Sequence, residues 1–258
     1  MKFYTDEEIR AVRYYIGDVR QMPEDGFWND PKAYCLLNAL FFPEIRAEAS
    51  RIAEGKCLNP ELLKDIPRLA GLLNNLISVF RKSVSERNYQ TFRVERFCDY
   101  EQMRQAGKTI SFTSTSCAGF LESYQDRSGI ALLKFNIPAQ TPCIVMQDFF
   151  PEYAKPEEAE ILLPPWLKLH FEDLSLSSSE THILDADGNP PVCSCSVSVQ
   201  ADFFPDTLPC HAVPAGGNSA GIRIIQALQN HQIPENQDIV LYSLWKQHFL
   251  HEILEKYI

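Results

Sequence analysis

The chain has 258 residues, 45% of them hydrophobic and 22% charged, with a net charge of −10 at neutral pH and eight cysteines. A length and composition of this kind suit a globular protein of one or two domains and exclude a chain that is disordered throughout. An acidic balance with no run of Lys and Arg also argues against a nucleic-acid partner, whose phosphate backbone it would repel.

The first twenty residues, MKFYTDEEIRAVRYYIGDVR, hold no apolar core of signal-peptide length. No stretch approaches the ~18 consecutive apolar residues of a membrane span. The expectation is a protein without a membrane segment or a conventional secretion signal, which leaves room for delivery by a dedicated secretion machine. Thr5 with Glu8 three residues on forms a capping box, and Ile9, Val12, Tyr15 and Ile16 follow at helical spacing. Residues 31–42 and 43–54 continue the helical pattern, each opening on a proline. Asn59 can cap a helix at Pro60, and the apolar positions from Leu62 to Phe80 predict a long helix with a break at Pro67.

Near Tyr89 the period changes to that of strands. Residues 89–97, 109–115, 130–137, 143–147, 158–163, 166–171 and 192–199 are short runs rich in β-branched and aromatic side chains. Short helices are expected at 99–107 and 117–124. A long amphipathic helix is expected at 237–258, with Ile239, Leu241, Leu244, Phe249, Ile253 and Leu254 facing inward. Residues 175–180 and 185–191 read as surface loops, and the glycine-rich run at 216–221 reads as a loop and helix cap. The cysteines are scattered, and Cys35 and Cys143 sit inside apolar runs, so free buried thiols in a reducing compartment are expected. Cys193 and Cys195 with His211 lack the second ligand pair of a zinc site and read as thiols on a strand. The fold class that results is α+β in a single domain over 1–258. Its parts are a helical N-terminal layer (1–86), a central block of mostly antiparallel strands (87–200) and a helical C-terminal cap (201–258).

Three features stand in order on three of the expected strands: Phe92-Arg93, then Phe112-Thr113-Ser114-Thr115-Ser116, then Glu158-Ala159-Glu160 running into Ile-Leu-Leu-Pro-Pro. Singly, each has an ordinary explanation. An isolated strand arginine faces solvent, Ser and Thr runs satisfy backbone groups at strand ends, and a Glu-x-Glu pair lies on one face of a strand because side chains alternate with a period of two. Together they resemble the R-S-E group of mono-ADP-ribosyltransferases, which share a fold with cholera-type and clostridial C2-type toxins. The resemblance covers about residues 89–171. Arg81 and Arg96 lie close by, but Arg81 ends a helical pattern and Arg96 has no aromatic directly before it.

The resemblance implies a β-sandwich core and a chain that takes NAD as substrate. It implies that Arg93 holds the diphosphate, since a planar guanidinium matches two phosphate oxygens. Ser114 would hydrogen-bond the catalytic glutamate, with Thr115 and Ser116 supporting the strand at the NAD site. Glu160 would accept a hydrogen bond from the nicotinamide-ribose 2′-hydroxyl and stabilise the oxocarbenium-like sugar as nicotinamide leaves. Glu158 would face the acceptor; a glutamate there goes with arginine acceptors, whose guanidinium it can orient and deprotonate. By position, residues 148–157 resemble the loop that presents the acceptor. Phe149, Phe150 and Tyr153 are then either contacts for a protein target or packing beneath that loop. Phe120 and Tyr124 read as core of a short helix, or as lining of a nicotinamide pocket. The expected activity is NAD-dependent transfer of ADP-ribose to a protein, at arginine, in the cytosol, as a toxin or effector would act. NAD hydrolysis on the same scaffold, or a silent interaction protein with this fold, are the alternatives.

Overall fold

The computed structural model describes residues 4–16, 34, 37–38, 41, 66–117, 130–156, 158–172, 193–203, 215–230, 232 and 234–255. It divides into two compact units, one of residues 1–78 with 205–258 and one of residues 79–204. The expected helix at 31–42 lies largely outside the described residues. The helix at 43–54, the Asn59 cap, the loops at 175–180 and 185–191, and Phe120, Tyr124, Cys35, Cys57, Cys210 and His211 lie wholly outside them.

In the first unit, α1 (Asp6–Ile16) begins on the expected capping box. The Glu8 backbone N–H donates to Thr5 Oγ1 at 3.2 Å, and the Thr5 N–H donates to Glu8 Oε2 at 2.9 Å. The other Glu8 oxygen accepts from Ser78 Oγ at 2.6 Å, so a carboxylate only 3% exposed is satisfied from both ends. That burial rotates the inner face by about one residue from the apolar reading: Glu8, Ala11, Val12, Tyr14 and Tyr15 are buried, whereas Ile9 and Ile16 are half-buried. The helix expected from Leu62 appears as α2 (Ile66–Lys82). Residues 62–65, and with them the chain ahead of the expected break at Pro67, lie outside the described residues.

The second unit is built on a seven-stranded sheet in the order β4-β5-β2-β1-β3-β7-β6. Its strands are β1 (Tyr89–Arg96), β2 (Thr113–Ser116), β3 (Ile130–Ile137), β4 (Ile144–Val145), β5 (Glu160–Leu163), β6 (Leu167–Phe171) and β7 (Cys193–Phe203). Every neighbouring pair is antiparallel except β3 with β7. The ladder thins between β1 and β2, where the matched pair is Phe92 with Ser116. Strand β3 is interior, between β1 and β7, and Ala131, Leu132, Leu133, Phe135 and Ile137 on it are each at most 1% exposed. Ala131, Leu132 and Leu133 are buried on both faces, and alternation sets in after them, with Lys134 half-buried and Asn136 exposed between Leu133, Phe135 and Ile137. One face joins Leu133, Phe135, Ile161, Leu163, Leu167, Val197 and Tyr100 in a single apolar cluster. Each such side chain contributes about 1.5–3 kcal/mol on burial.

Three expected strands are shorter than the sequence suggests, and each has a local cause. Thr109 leaves the β2 ladder because its groups bind the start of β6 and the turn before it: its Oγ1 donates to Pro164 O at 2.7 Å and accepts from Leu167 N–H at 2.9 Å. Residues 143–147 keep two strand residues before the chain turns into α4 (Met146–Phe149), closed by Phe150 N–H to Met146 O at 2.9 Å. Glu158 and Ala159 also fall outside β5.

The helix α3 (Phe97–Ala106) ends at Gly107 with φ +61°, its N–H returning to Met103 O at 3.0 Å. Glycine takes this left-handed cap without steric cost. Cys143 and Cys195 are buried thiols, both within the apolar cluster. In the first unit again, α5 (Gly217–Gln229) packs on α6 (Asn236–Glu255) through Ala220, Ile224 and Tyr242. A Cβ at Gly217 would lie 2.3 Å from Trp245, and one at Gly221 would lie 2.5 Å from Tyr242. The glycine-rich run is therefore a close helix contact, and Tyr242, absent from the expected inner face, is its centre. Among the described residues no helix is long and apolar enough to cross a membrane.

Candidate functional site

The sheet order sets β5, β2 and β1 side by side, so Glu160, Ser114 and Arg93 come from three adjacent strands. On β2, Thr113 and Thr115 alternate with Ser114 and Ser116. Thr113 and Thr115 are 3% and 2% exposed and stand opposite the core residues Leu163 and Ile161. The other face therefore carries Ser114 and Ser116, with Ser116 directly opposite Glu160 and Ser114 on the diagonal.

That diagonal closes as a hydrogen bond. Ser114 Oγ donates to Glu160 Oε1 at 2.5 Å, a length usual for a hydroxyl bound to a carboxylate. Arg93 reaches the same residue from the other side, its Nη1 donating to Ser114 O at 2.8 Å, while its Nε donates to Glu95 Oε1. Thr115 Oγ1 donates to Ile161 O at 2.9 Å, and Ser116 Oγ donates to Glu158 O. Both hydroxyls thus tie β2 to β5 and its entry turn. Of the three neighbouring arginines, Arg93 reaches β2 through the Ser114 carbonyl. Arg81 lies in the last turn of α2, and Arg96 is the final residue of β1.

Burial pushes the Glu160 carboxyl above the ordinary carboxylate range. The hydrogen bond from Ser114 opposes that rise, Glu158 adds to it by like-charge repulsion, and the cations of Lys155 and Arg93 oppose it.

Glu158 is placed differently from the sequence reading. It lies in the turn before β5, with Glu158 N–H and Ala159 N–H both donating to Lys155 O at 3.1 and 3.2 Å. Ala159 adopts φ +42°. A left-handed residue between the two glutamates breaks the two-residue alternation, so strand geometry does not set them on a common face. Glu158 pairs instead with Lys155, Nζ to Oε1 at 2.7 Å, on the surface.

The aromatics of the preceding loop divide. Phe150 is 1% exposed and belongs to the packing beneath the loop, which removes it as a contact for a target. Phe149 packs against the main apolar cluster, and Tyr153 is half-buried. Tyr89 at the start of β1 donates its hydroxyl to Asp148 Oδ2 at 3.1 Å, with the Arg87 guanidinium 5.1 Å over its ring. Sequence reasoning missed Glu95, Lys155 and the turn at Ala159. The spacing signals were present: Glu95 is two residues from Arg93 on the same strand face, and Lys155 stands three before Glu158. Among the described residues no group of His, Cys, Asp and Glu could hold a metal ion.

No known protein-family profile matches the sequence, and no curated protein matches it. Solved structures do match. An ADP-ribosyltransferase from Clostridium botulinum aligns at 14% identity with a TM-score of 0.40, over 76% of this chain and 87% of that one. The enzymatic component C2-I of the Clostridium botulinum C2-toxin aligns at 11% identity and a TM-score of 0.43, over 76% of this chain and 44% of that one. The catalytic domain of VahC from Aeromonas hydrophila aligns at 17% identity and a TM-score of 0.44, over 78% of this chain and 100% of that one. The chain is thus similar in structure, at low identity, to proteins that include bacterial ADP-ribosyltransferases.

Proposed function

We propose that the chain is an NAD-dependent mono-ADP-ribosyltransferase, acting as a single domain whose strand core cleaves NAD and passes ADP-ribose to an arginine of a target protein in the cytosol. The observation that carries this reading is the Ser114–Glu160 hydrogen bond at 2.5 Å, beside an arginine bonded to the same serine. It supports the R-S-E resemblance of the sequence, with Arg93 meeting the serine through its backbone carbonyl.

In this reading Arg93 engages the diphosphate of NAD. Glu160, held by Ser114, binds the 2′-hydroxyl of the nicotinamide ribose and presents negative charge to the sugar as the C1′–N bond breaks and neutral nicotinamide departs with the bonding pair. The carboxylate must be ionised for this, and Ser114 supplies part of what keeps it so. Thr115 and Ser116 fix β2 against β5, so the serine that holds Glu160 does not shift. Glu158, in a turn on the exposed side, receives the acceptor guanidinium and takes its proton as the new C1′–N bond forms.

Incubating the protein with labelled NAD and a cell lysate, then locating label by mass spectrometry, tests the proposal. Nicotinamide release with ADP-ribose on arginine is expected, without any requirement for divalent metal. Intact NAD after prolonged incubation would sink it, and nicotinamide release without labelled protein would leave an NAD hydrolase.

A further inference from the structure

We propose that Glu95 is a positioning residue of the NAD site, holding the Arg93 guanidinium in the orientation from which it meets the diphosphate. The inference rests on the reading above and assigns a role to a carboxylate outside the Arg, Ser and Glu set.

Glu95 and Arg93 stand two apart on β1 and share a face of the strand, matched to Ala131 and Leu133 on β3. Glu95 is 8% exposed, and its carboxylate accepts from Arg93 Nε. From the other side, Ser114 O accepts from Arg93 Nη1 at 2.8 Å. A guanidinium is planar, so two acceptors at two of its nitrogens fix both its plane and its rotation. Without them the arginine side chain would have to give up its rotamer freedom when NAD binds, at a cost to affinity.

An anion beside a phosphate-binding arginine could also act as a competitor, and the placement decides between the two. A competing carboxylate must withdraw into water when the phosphate arrives. Glu95 is buried on a paired strand, and withdrawal would leave its charge unpaired in the interior. The pair therefore persists with NAD bound, and Glu95 acts by orienting Arg93.

Calorimetric titration with NAD, together with steady-state rates of nicotinamide release, tests this on the parent, Glu95→Gln and Glu95→Ala. Glu95→Gln keeps the shape and one acceptor but loses the charge. NAD Kd should rise severalfold in Glu95→Gln and about ten- to a hundredfold in Glu95→Ala. KM should follow Kd, with kcat changed less. In an Arg93→Ala background Glu95→Gln should have no further effect on Kd, a result that a purely structural role would not give. Unchanged or tighter NAD binding in Glu95→Gln overturns the inference, as does an equal loss in the Arg93→Ala background. If Glu95→Ala fails to fold, Glu95→Gln alone carries the test. A parent that binds NAD without cleaving it would overturn the transferase reading and leave the Glu95 assignment standing on the binding data.

Discussion

Two carboxylates separated by one residue, Glu158 and Glu160, occupy different physical settings. Glu160 begins a strand, faces Ser116, accepts from Ser114 and is pushed up by burial. Glu158 lies in a turn and pairs with a solvent-exposed lysine. Exposed ion pairs of that kind are worth only about 0–1 kcal/mol, so Lys155 can yield to another cation readily. The ladder fixes one carboxylate, and the turn leaves its neighbour exchangeable. The proposed transferase reading would use both conditions, one to hold a reactive sugar still and one to accept a variable partner.

The sharpest way to break the comparison is to remove each charge separately. Glu160→Gln should lower both NAD hydrolysis and transfer on the order of 10²–10³-fold, the usual effect of losing one preorganised electrostatic group. The same change should raise the melting temperature at neutral pH, because it removes a carboxylate whose ionisation burial opposes. Glu158→Gln should lower transfer to arginine by about 10²-fold, within the span of general-base effects, while NAD hydrolysis persists. Side-by-side assays of nicotinamide release and arginine labelling separate the two variants. A parallel loss of both activities in Glu158→Gln would erase the distinction.

The next effect is on pH. The folded-state value of Glu160 lies above the ordinary range, so the acid limb of NAD cleavage should also lie above it, with activity gained as the carboxyl ionises. Linkage has the opposite sign. The folded protein holds the proton longer than the unfolded chain, so the contribution of Glu160 to stability is complete below the ordinary carboxylate range and is lost as pH rises through the folded value. Ser114→Ala removes the hydrogen bond that favours the ionised form and should move the acid limb to higher pH. A pH–rate profile with the limb unmoved would detach Ser114 from the titration of Glu160.

The smallest expected effect is at Ala159. A left-handed alanine costs roughly 1–2 kcal/mol, and a glycine there loses about 0.5–1 kcal/mol through its freer unfolded chain. Ala159→Gly should therefore stabilise the protein by about 0.5–1 kcal/mol in a denaturant melt. Its looser turn should blur the contrast between the glutamates, raising NAD hydrolysis relative to transfer.

Much of this was legible beforehand wherever the signal was local. The capping box at Thr5 and Glu8 was read from side chains three residues apart, and its hydrogen bonds form between those same groups. Residues 130–137 were expected as a strand and form one with those bounds, because a continuous run of β-favouring residues needs no partner to be recognised. That Arg93, Ser114 and Glu160 stand on neighbouring strands needed the order β5-β2-β1, which composition does not encode. What escaped was set by single dihedrals and by burial. The alternation across Glu158 and Glu160 failed at one φ, and Phe150 looked like any loop aromatic until its burial was known. Glu8 turned its helix inward against its polarity, since a partner seventy residues away satisfies it.

Ser114 speaks to its two neighbours in different languages. To Glu160 it offers a hydroxyl, which a codon can delete; to Arg93 it offers a carbonyl, which every amino acid carries. A scan of all substitutions at this position would accordingly chart the glutamate's dependence on serine and remain blind to the arginine's. The route to the second half lies in replacing the backbone itself. An ester in place of the amide after residue 114 weakens that carbonyl as an acceptor and leaves the side chain in place. Substitution would then be expected to act through the chemistry at Glu160, and backbone editing through the grip on NAD.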